Sequence, residues 1–304
     1  ITVTFSPLFD SNSAPDLVDI AHERVRLQTA FGARVVPQMQ TRPIDLSFDL
    51  TAPMSTFATL PTWWATTLLP HEEKLAKLRD PEYRKKLRAE IENFMMPIGL
   101  DIDFANAFVK RPGKASEHLA GRRLGDIAQE RGCHLADAII DIALDDDLQT
   151  SFGLEALGHN RMEKIAHFLA DPLIGIGAGD GGAHVTNFST YGDTGFLFSQ
   201  YVRELGSMSV EQAVHKLTYD VARIWGIKDR GLLKPGYAAD LVLFDPETID
   251  RGPEIAVHDL PAPGFRFIRR AEGVREVFVN GQRAYHADTG YTDARTGAVV
   301  PQAA

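Results

Sequence analysis

The stretch Leu173-Ile174-Gly175-Ile176-Gly177-Ala178-Gly179-Asp180-Gly181-Gly182-Ala183-His184-Val185-Thr186 decides how the chain reads. An apolar β-type run, Leu173 to Ile176, passes through small residues to a single acid, Asp180, and two glycines follow at once. An α/β barrel presents a catalytic carboxylate in this way. The strand fixes the Cα, and the glycines let backbone and ligand approach closely. The same pattern also suits a plainer role, in which Asp180 caps the next helix. The glycines from Gly175 to Gly179 fit neither a phosphate loop nor a dinucleotide fingerprint, and no Gly-x-Ser-x-Gly nucleophile elbow occurs. They read as close packing around a strand end.

Upstream of this stretch, Ile1 to Leu8 alternates β-branched and aromatic residues as a strand does. Asp16 to Phe31 has helical spacing, with Leu17, Ile20, Ala21, Val25 and Leu27 as its apolar stripe and Gly32 as terminator. Ala33 to Met39 is a second strand, so the N-terminal forty or so residues form a βαβ unit and predict a parallel sheet. From Thr41 to Met96 the alternation breaks. Asp45 to Leu50 and Phe57 to Trp64 resemble an excursion over a barrel mouth, where Trp63 and Trp64 either line a pocket or pack locally. His71 to Phe94 is helical with a break at Asp80-Pro81, and Ile98 to Val109 reads as a strand pair carrying Asp101 and Asp103. Those acids are either metal candidates or an exposed strand end. Two helices, Gly121 to Gly132 and His134 to Asp147, meet at Cys133. His159 precedes a helix from Arg161 to Leu169, either facing the mouth or acting as a cap or surface residue.

Downstream, Val210 to Gly226 reads as a helix pair. From Leu232 the texture changes to short strands at Ala239–Phe244, Val274–Val279 and Gln282–Tyr285, with Asn280-Gly281 as a two-residue hairpin signal. A boundary falls near Ile227.

The 304 residues can bury a large core, and the net charge of −9 lacks the clustered cations that nucleic-acid binding needs. The basic run Arg84-Lys85-Lys86-Leu87-Arg88 sits among acids and reads as a solvated helix face. A single cysteine, Cys133, rules out an intrachain disulfide and suits a reducing cytoplasm. No apolar run is long enough to span a bilayer as a helix. The chain opens at Ile1 within an apparent strand, which leads to the expectation of a further N-terminal segment.

Three motifs fall in one order: Gly179-Asp180-Gly181-Gly182-Ala183-His184-Val185, then Gly231-Leu232-Leu233-Lys234-Pro235-Gly236-Tyr237-Ala238-Ala239-Asp240-Leu241-Val242-Leu243-Phe244-Asp245, then Val277-Phe278-Val279-Asn280-Gly281. With Val257-His258-Asp259-Leu260-Pro261-Ala262, they resemble the amidohydrolase superfamily and its D-aminoacylase (N-acyl-D-amino-acid deacylase) branch. The resemblance implies an α/β fold: the C-terminal part of a (β/α)8 TIM-type barrel over 1–226, with a helical excursion at about 45–150, then a small β-sandwich over 227–304. It also implies metal-dependent hydrolysis of a non-peptide C–N amide bond, with N-acyl-D-amino acids as substrates. Cyclic amides, as in hydantoinases and dihydroorotases, and a non-catalytic scaffold are the alternatives. Asp180 corresponds to the acid that ends the last barrel strand, which serves as general base and can touch the metal, and His184 falls near the substrate. The implied cofactor is zinc. The expected partners are a small amide, the missing N-terminal segment and a second copy of the chain, with neither nucleic acid nor membrane. The family's first-strand His-x-His pair has no counterpart, because none of the ten histidines lie two apart. Ile1 to Phe5 falls about where the sixth strand belongs and carries Thr where a metal histidine is expected. Most metal ligands would then lie outside this chain, since a zinc site needs three or four.

Overall fold

The computed structural model describes residues 2–94, 101–177, 179, 181–187, 192–261 and 264–300. Strand β1 (Val3–Phe5), helix α1 (Leu17–Ala30) and strand β2 (Val35–Met39) form the expected βαβ unit. β1 pairs with β2 in parallel, Val3 opposite Val35. β2 pairs in parallel with a short strand from the 173–186 stretch, Gln38 opposite Gly175. That strand is numbered β6 below. Helix α1 buries Val18 and Val25, while Leu17, Ile20 and Leu27 of the expected stripe are exposed. Apolar residues lie all round this helix, so spacing alone does not choose the face that meets the sheet.

The excursion is a layer with its own core. Strands β3 (Ile44–Phe48), β4 (Phe108–Arg111) and β5 (Ser151–Leu157) form an antiparallel sheet in the order β3-β5-β4. Five helices accompany it: α2 (Pro61–Thr67), α3 (His71–Arg79), α4 (Pro81–Glu92), α5 (Leu124–Arg131) and α6 (Leu135–Asp145). The break between α3 and α4 is as expected: the Asp80 carboxylate accepts the Glu82 N–H at 2.9 Å, and Pro81 opens α4. Phe48, Phe57, Trp63, Phe104 and Phe152 meet in this core. Trp63 is fully buried, stacks on Phe57 and donates its indole N–H to the Leu87 carbonyl at 3.0 Å, so it packs locally. Residues 101–107 are irregular, and Asp101 and Asp103 do not alternate on a strand. Asp101 instead accepts the N–H groups of Asn12 and Ser13 and the Ser11 hydroxyl, closing the turn that follows β1.

Helix α7 (Met162–Ala170) leads into β6 (Gly175–Ile176). After it come α8 (Asp193–Phe196), widening into a π-helical stretch Leu197–Glu204, and α9 (Val210–His215), entered by a Ser209–Gln212 capping box. A second π-helical stretch, Lys216–Asp220, runs into α10 (Val221–Trp225), which ends at Gly226 with φ +68°. The remainder is β-structure: β7 (Leu241–Phe244), β8 (Asp250–Val257), β9 (Arg266–Glu272), β10 (Val274–Val279), β11 (Gln282–His286) and β12 (Gly290–Tyr291). Four of these pair antiparallel in the order β12-β11-β10-β7, and Asn280-Gly281 turns β10 into β11 with both φ values positive.

β8 and β9 form a separate ribbon that packs back on the rest. Gly195 permits this approach, because a Cβ there would come within 2.4 Å of the Asp250 backbone. Lys110 pairs with Glu254 at 2.6 Å, and the Arg111 guanidinium lies 4.5 Å from the Phe267 ring centre. The described strands thus make four sheets in a mixed α/β fold.

Phe48 touches Phe57, Phe104 and Phe152 at ring-centre distances of 5.2–5.8 Å and is fully buried. Phe48→Ala is expected to destabilise the protein by about 3–5 kcal/mol, measured by urea unfolding.

Candidate active site at the carboxyl ends of the parallel strands

In a parallel α/β sheet, side chains that follow the carboxyl ends of the strands converge on one face. Three such segments meet here. Beyond β1, the chain continues beside β2, with the Leu8 N–H donating to the Gln38 carbonyl at 2.8 Å. Beyond β2 come Gln40, Thr41 and Arg42, all buried. Beyond β6, Gly177 donates to the Met39 carbonyl at 3.1 Å.

Arg42, 1% exposed, joins these ends. Its Nε donates to Asp193 Oδ2 at 3.3 Å, Nη1 to the Pro43 carbonyl at 3.0 Å and Nη2 to the Gly179 carbonyl at 3.3 Å. The Thr41 hydroxyl donates to the Asp193 carbonyl at 2.8 Å. Tyr201, aimed from the π-helical stretch, donates its hydroxyl to the Thr41 carbonyl at 2.8 Å. Burial pushes the Tyr201 phenol up, so it stays a neutral donor.

Gly179 is the residue before Asp180, and a Cβ on it would lie 3.2 Å from Asp193 Oδ2. Asp180 itself lies outside the described residues. The loop beyond it, 181–187, is tied on two sides: the Val185 carbonyl accepts the Phe267 N–H of β9 at 2.8 Å, and the Asn187 carbonyl accepts the Ser47 N–H of β3 at 2.6 Å. His184 is exposed on this loop with φ +47°, and its carbonyl accepts the Asn187 N–H at 2.8 Å.

His159 is fully buried and caps no helix, so it is neither the cap nor the surface residue that its sequence position allows. Its N–H donates to the Asp10 carbonyl at 2.8 Å, its Nδ1 accepts the Asp10 N–H at 3.0 Å, and its ring stacks on Phe9 at 4.4 Å. Asp10, also buried, is held by Arg161 through both carboxylate oxygens and by Lys164 at 3.5 Å. Burial is the main cause that lowers the His159 pKa to about 4; Arg42 lowers it further, while Asp10 and the Gln40 carbonyl pull the other way. Beside it opens a cleft of about 670 Å³ lined in part by Asn12, Asp101, Arg123, Leu157 and Asn160.

Sequence reading passes over Asp10, Arg42 and Asp193. The signal for Arg42 is its place just past a parallel strand; Asp193 has none, because its partner lies 151 residues away. Cys133 is half-buried, and burial with the nearby Asp137 and Asp141 raises its thiol pKa, opposite to the shift that activates a thiolate. Among the described residues, no group of three or more His, Cys, Asp or Glu side chains could hold a metal ion. These residues alone do not fit a zinc site. Among them, no helix is long and apolar enough to cross a membrane.

The His159 environment makes stability depend on pH. The folded-state pKa of about 4 lies below the unfolded value of about 6.5, so the unfolded chain takes up the proton first as pH falls. The stability contribution is complete above pH 6.5 and is lost as pH drops towards 4, by about 3 kcal/mol in all. Unfolding free energies measured at pH 7 and pH 4.5 are expected to differ less in His159→Asn than in the wild type.

The amidohydrolase family profile matches residues 72–285. An uncharacterised protein of Mycobacterium tuberculosis is 30% identical over 200 residues, 64% of this chain and 32% of that protein. D-aminoacylase of Alcaligenes xylosoxydans xylosoxydans is 29% identical over 194 residues, 63% of this chain and 36% of the enzyme. The crystal structure of N-acyl-D-glutamate deacylase from Bordetella bronchiseptica, complexed with zinc and a phosphonate inhibitor, superposes with a TM-score of 0.50 at 20% identity. That superposition covers 93% of this chain and 46% of the neighbour. The matched segments thus span about a third of the length of these curated relatives. The profile match covers most of the sequence, and the chain belongs to the amidohydrolase family.

Proposed function

We propose that this chain is part of an amide-bond hydrolase that deacylates N-acyl amino acids, most simply the D-series on which its named relatives act. In this reading, residues 1–226 are the C-terminal part of a barrel and 227–304 its β-sandwich partner. Asp180 is the general base. It takes a proton from the attacking water as the water oxygen bonds to the acyl carbon, and passes that proton to the leaving nitrogen as the C–N bond breaks. The products are a carboxylic acid and a free amine. His184, on the same loop, contacts the substrate.

The observation that carries the proposal is the bond from Arg42 to the Gly179 carbonyl. A buried guanidinium anchors the Gly179 carbonyl, next to Asp180 in the sequence, and general-base catalysis needs an anchored segment for its base. The zinc of the Bordetella neighbour enters this proposal only as a cofactor whose ligand set the described residues do not supply, so its ligands come from elsewhere. That shortage favours a second reading, a scaffold without catalysis.

Release of amine from a panel of N-acetyl-D- and N-acetyl-L-amino acids tests both. The proposal expects turnover by the encoded protein, with a preference for one series. It expects Asp180→Asn to lower kcat/KM by roughly 100- to 10,000-fold at unchanged melting temperature. Undiminished turnover in Asp180→Asn removes that residue from its role; turnover of cyclic amides alone, or none at all, contradicts the deacylase reading.

A further inference from the structure

Strand β5 carries one residue more than the strand it pairs with. Leu46 of β3 lies opposite Leu154 and Ile44 opposite Leu157, so Glu155 and Ala156 together face Asp45. This is a β-bulge, a device that bends a strand and re-aims its side chains. Asp45 holds it, its carboxylate accepting the Ala156 N–H at 3.3 Å. Ala156 has φ +56°, a left-handed backbone that an alanine adopts only at a cost, and such strain collects at functional sites. As a result Glu155 and Ala156 are both exposed between buried Leu154 and buried Leu157, against the alternation of a plain strand.

The bulge forms a wall of the cleft of about 670 Å³, a volume that suits a small molecule. The floor is Phe108 of β4. Phe108 pairs with Gly153, and its ring fills the space over that glycine, where a Cβ would come within 2.6 Å of it. On the other side of Phe108 a backbone bridge brings in Arg123, the residue that precedes α5. Arg123, Phe108 and Gly153 thus form a row across one face of the sheet, and Glu155 follows two residues along β5 on the same face. Strand spacing and rise place the Arg123 and Glu155 Cα atoms about 12 Å apart. With both side chains lining the cleft, the space between them is of amino-acid size.

The charged side chains of the lining differ in what they have left to give. Asp101 is engaged by the 11–13 turn, and Asp103 accepts the Ala105 N–H at 2.9 Å and the Asn106 amide at 2.6 Å. Arg123 donates from Nη1 to the Asn106 side-chain oxygen at 2.6 Å, and among the described residues nothing takes up Nε or Nη2. Among the same residues Glu155 has neither a hydrogen-bond donor nor an ion-pair partner.

We infer that this cleft binds a free amino acid, with its ammonium on Glu155, its carboxylate on Arg123 and an apolar side chain over Phe108 and against Leu157. Charge-assisted hydrogen bonds at both ends are stronger than neutral ones, and the pair of opposite ends matches a zwitterion. An N-acyl amino acid has the carboxylate but no ammonium, so it leaves Glu155 without a counter-charge. The cleft thus separates the amine product of the proposed hydrolysis from its substrate. Binding of an amino acid stands on the cleft alone; its assignment as the product rests on the deacylase reading above.

Calorimetric titration with D- and L-leucine tests this on wild type, Arg123→Met and Glu155→Gln. Both side chains are exposed, so neither change removes a buried contact, and the circular dichroism spectrum is expected to be unchanged. The inference expects saturable binding of at least one enantiomer, weakened roughly five- to fiftyfold by either substitution. Leucinamide, which keeps the ammonium and lacks the carboxylate, is expected to respond to Glu155→Gln and not to Arg123→Met. Isocaproate, which keeps the carboxylate and lacks the ammonium, is expected to do the reverse. No saturable binding of either leucine, affinities equal in all three proteins, or losses that do not follow the charge removed each overturn the inference. Binding with this pattern in a protein that hydrolyses no N-acetyl amino acid upholds the cleft and removes the deacylase reading; turnover without such binding does the opposite.

Discussion

The ion pair between Arg42 and Asp193 is the constraint on which the rest of the site depends. A guanidinium that is 1% exposed loses most of its hydration, and that loss is offset only if partners take up its donors. Here one carboxylate and two carbonyls accept from Nε, Nη1 and Nη2. The planar fork of arginine suits this three-way demand, where a lysine ammonium would not. Because the acceptors are fixed, the segment after β2, the start of α8 and the residue before Asp180 hold one mutual geometry. They lie 137 and 151 residues apart along the chain.

The layers around the site act on the same loop from both sides. The excursion contributes Ser47 of β3 and the ribbon contributes Phe267 of β9, each donating a backbone N–H to the 181–187 loop. Those two layers also hold each other, through Lys110 with Glu254 and through Asp45, whose carboxylate faces Arg251 at 3.5 Å and Arg269 at 3.7 Å. The 181–187 loop is therefore tied to both layers.

Features set by local chemistry were legible in the sequence. The Asp80-Pro81 break, the Gly226 helix end, the Asn280-Gly281 hairpin and the β1–α1–β2 unit depend on residues a few positions apart, and they stand where the spacing puts them. Features set by distant pairing were not. Strands β3 and β5 read poorly because each pairs with a segment far along the chain, Ile44 opposite Leu157, and Asp101 looks like a strand acid until the 11–13 turn supplies its donors. The site divides in the same way. The motif carrying Asp180 and His184 is local and visible; Arg42 with Asp193, and His159 with Asp10, pair only when separate segments meet.

The most direct measurement of the central claim is a double-mutant cycle on unfolding free energy with Arg42→Met, Asp193→Leu and the two combined. Asp193→Leu leaves the buried guanidinium without its carboxylate and is expected to cost about 3–5 kcal/mol; Arg42→Met leaves a partly exposed carboxylate and costs less, and the double variant recovers a substantial part. A coupling of at least about 1 kcal/mol is the predicted result. Losses that simply add would contradict the account, because the two side chains would then not depend on each other.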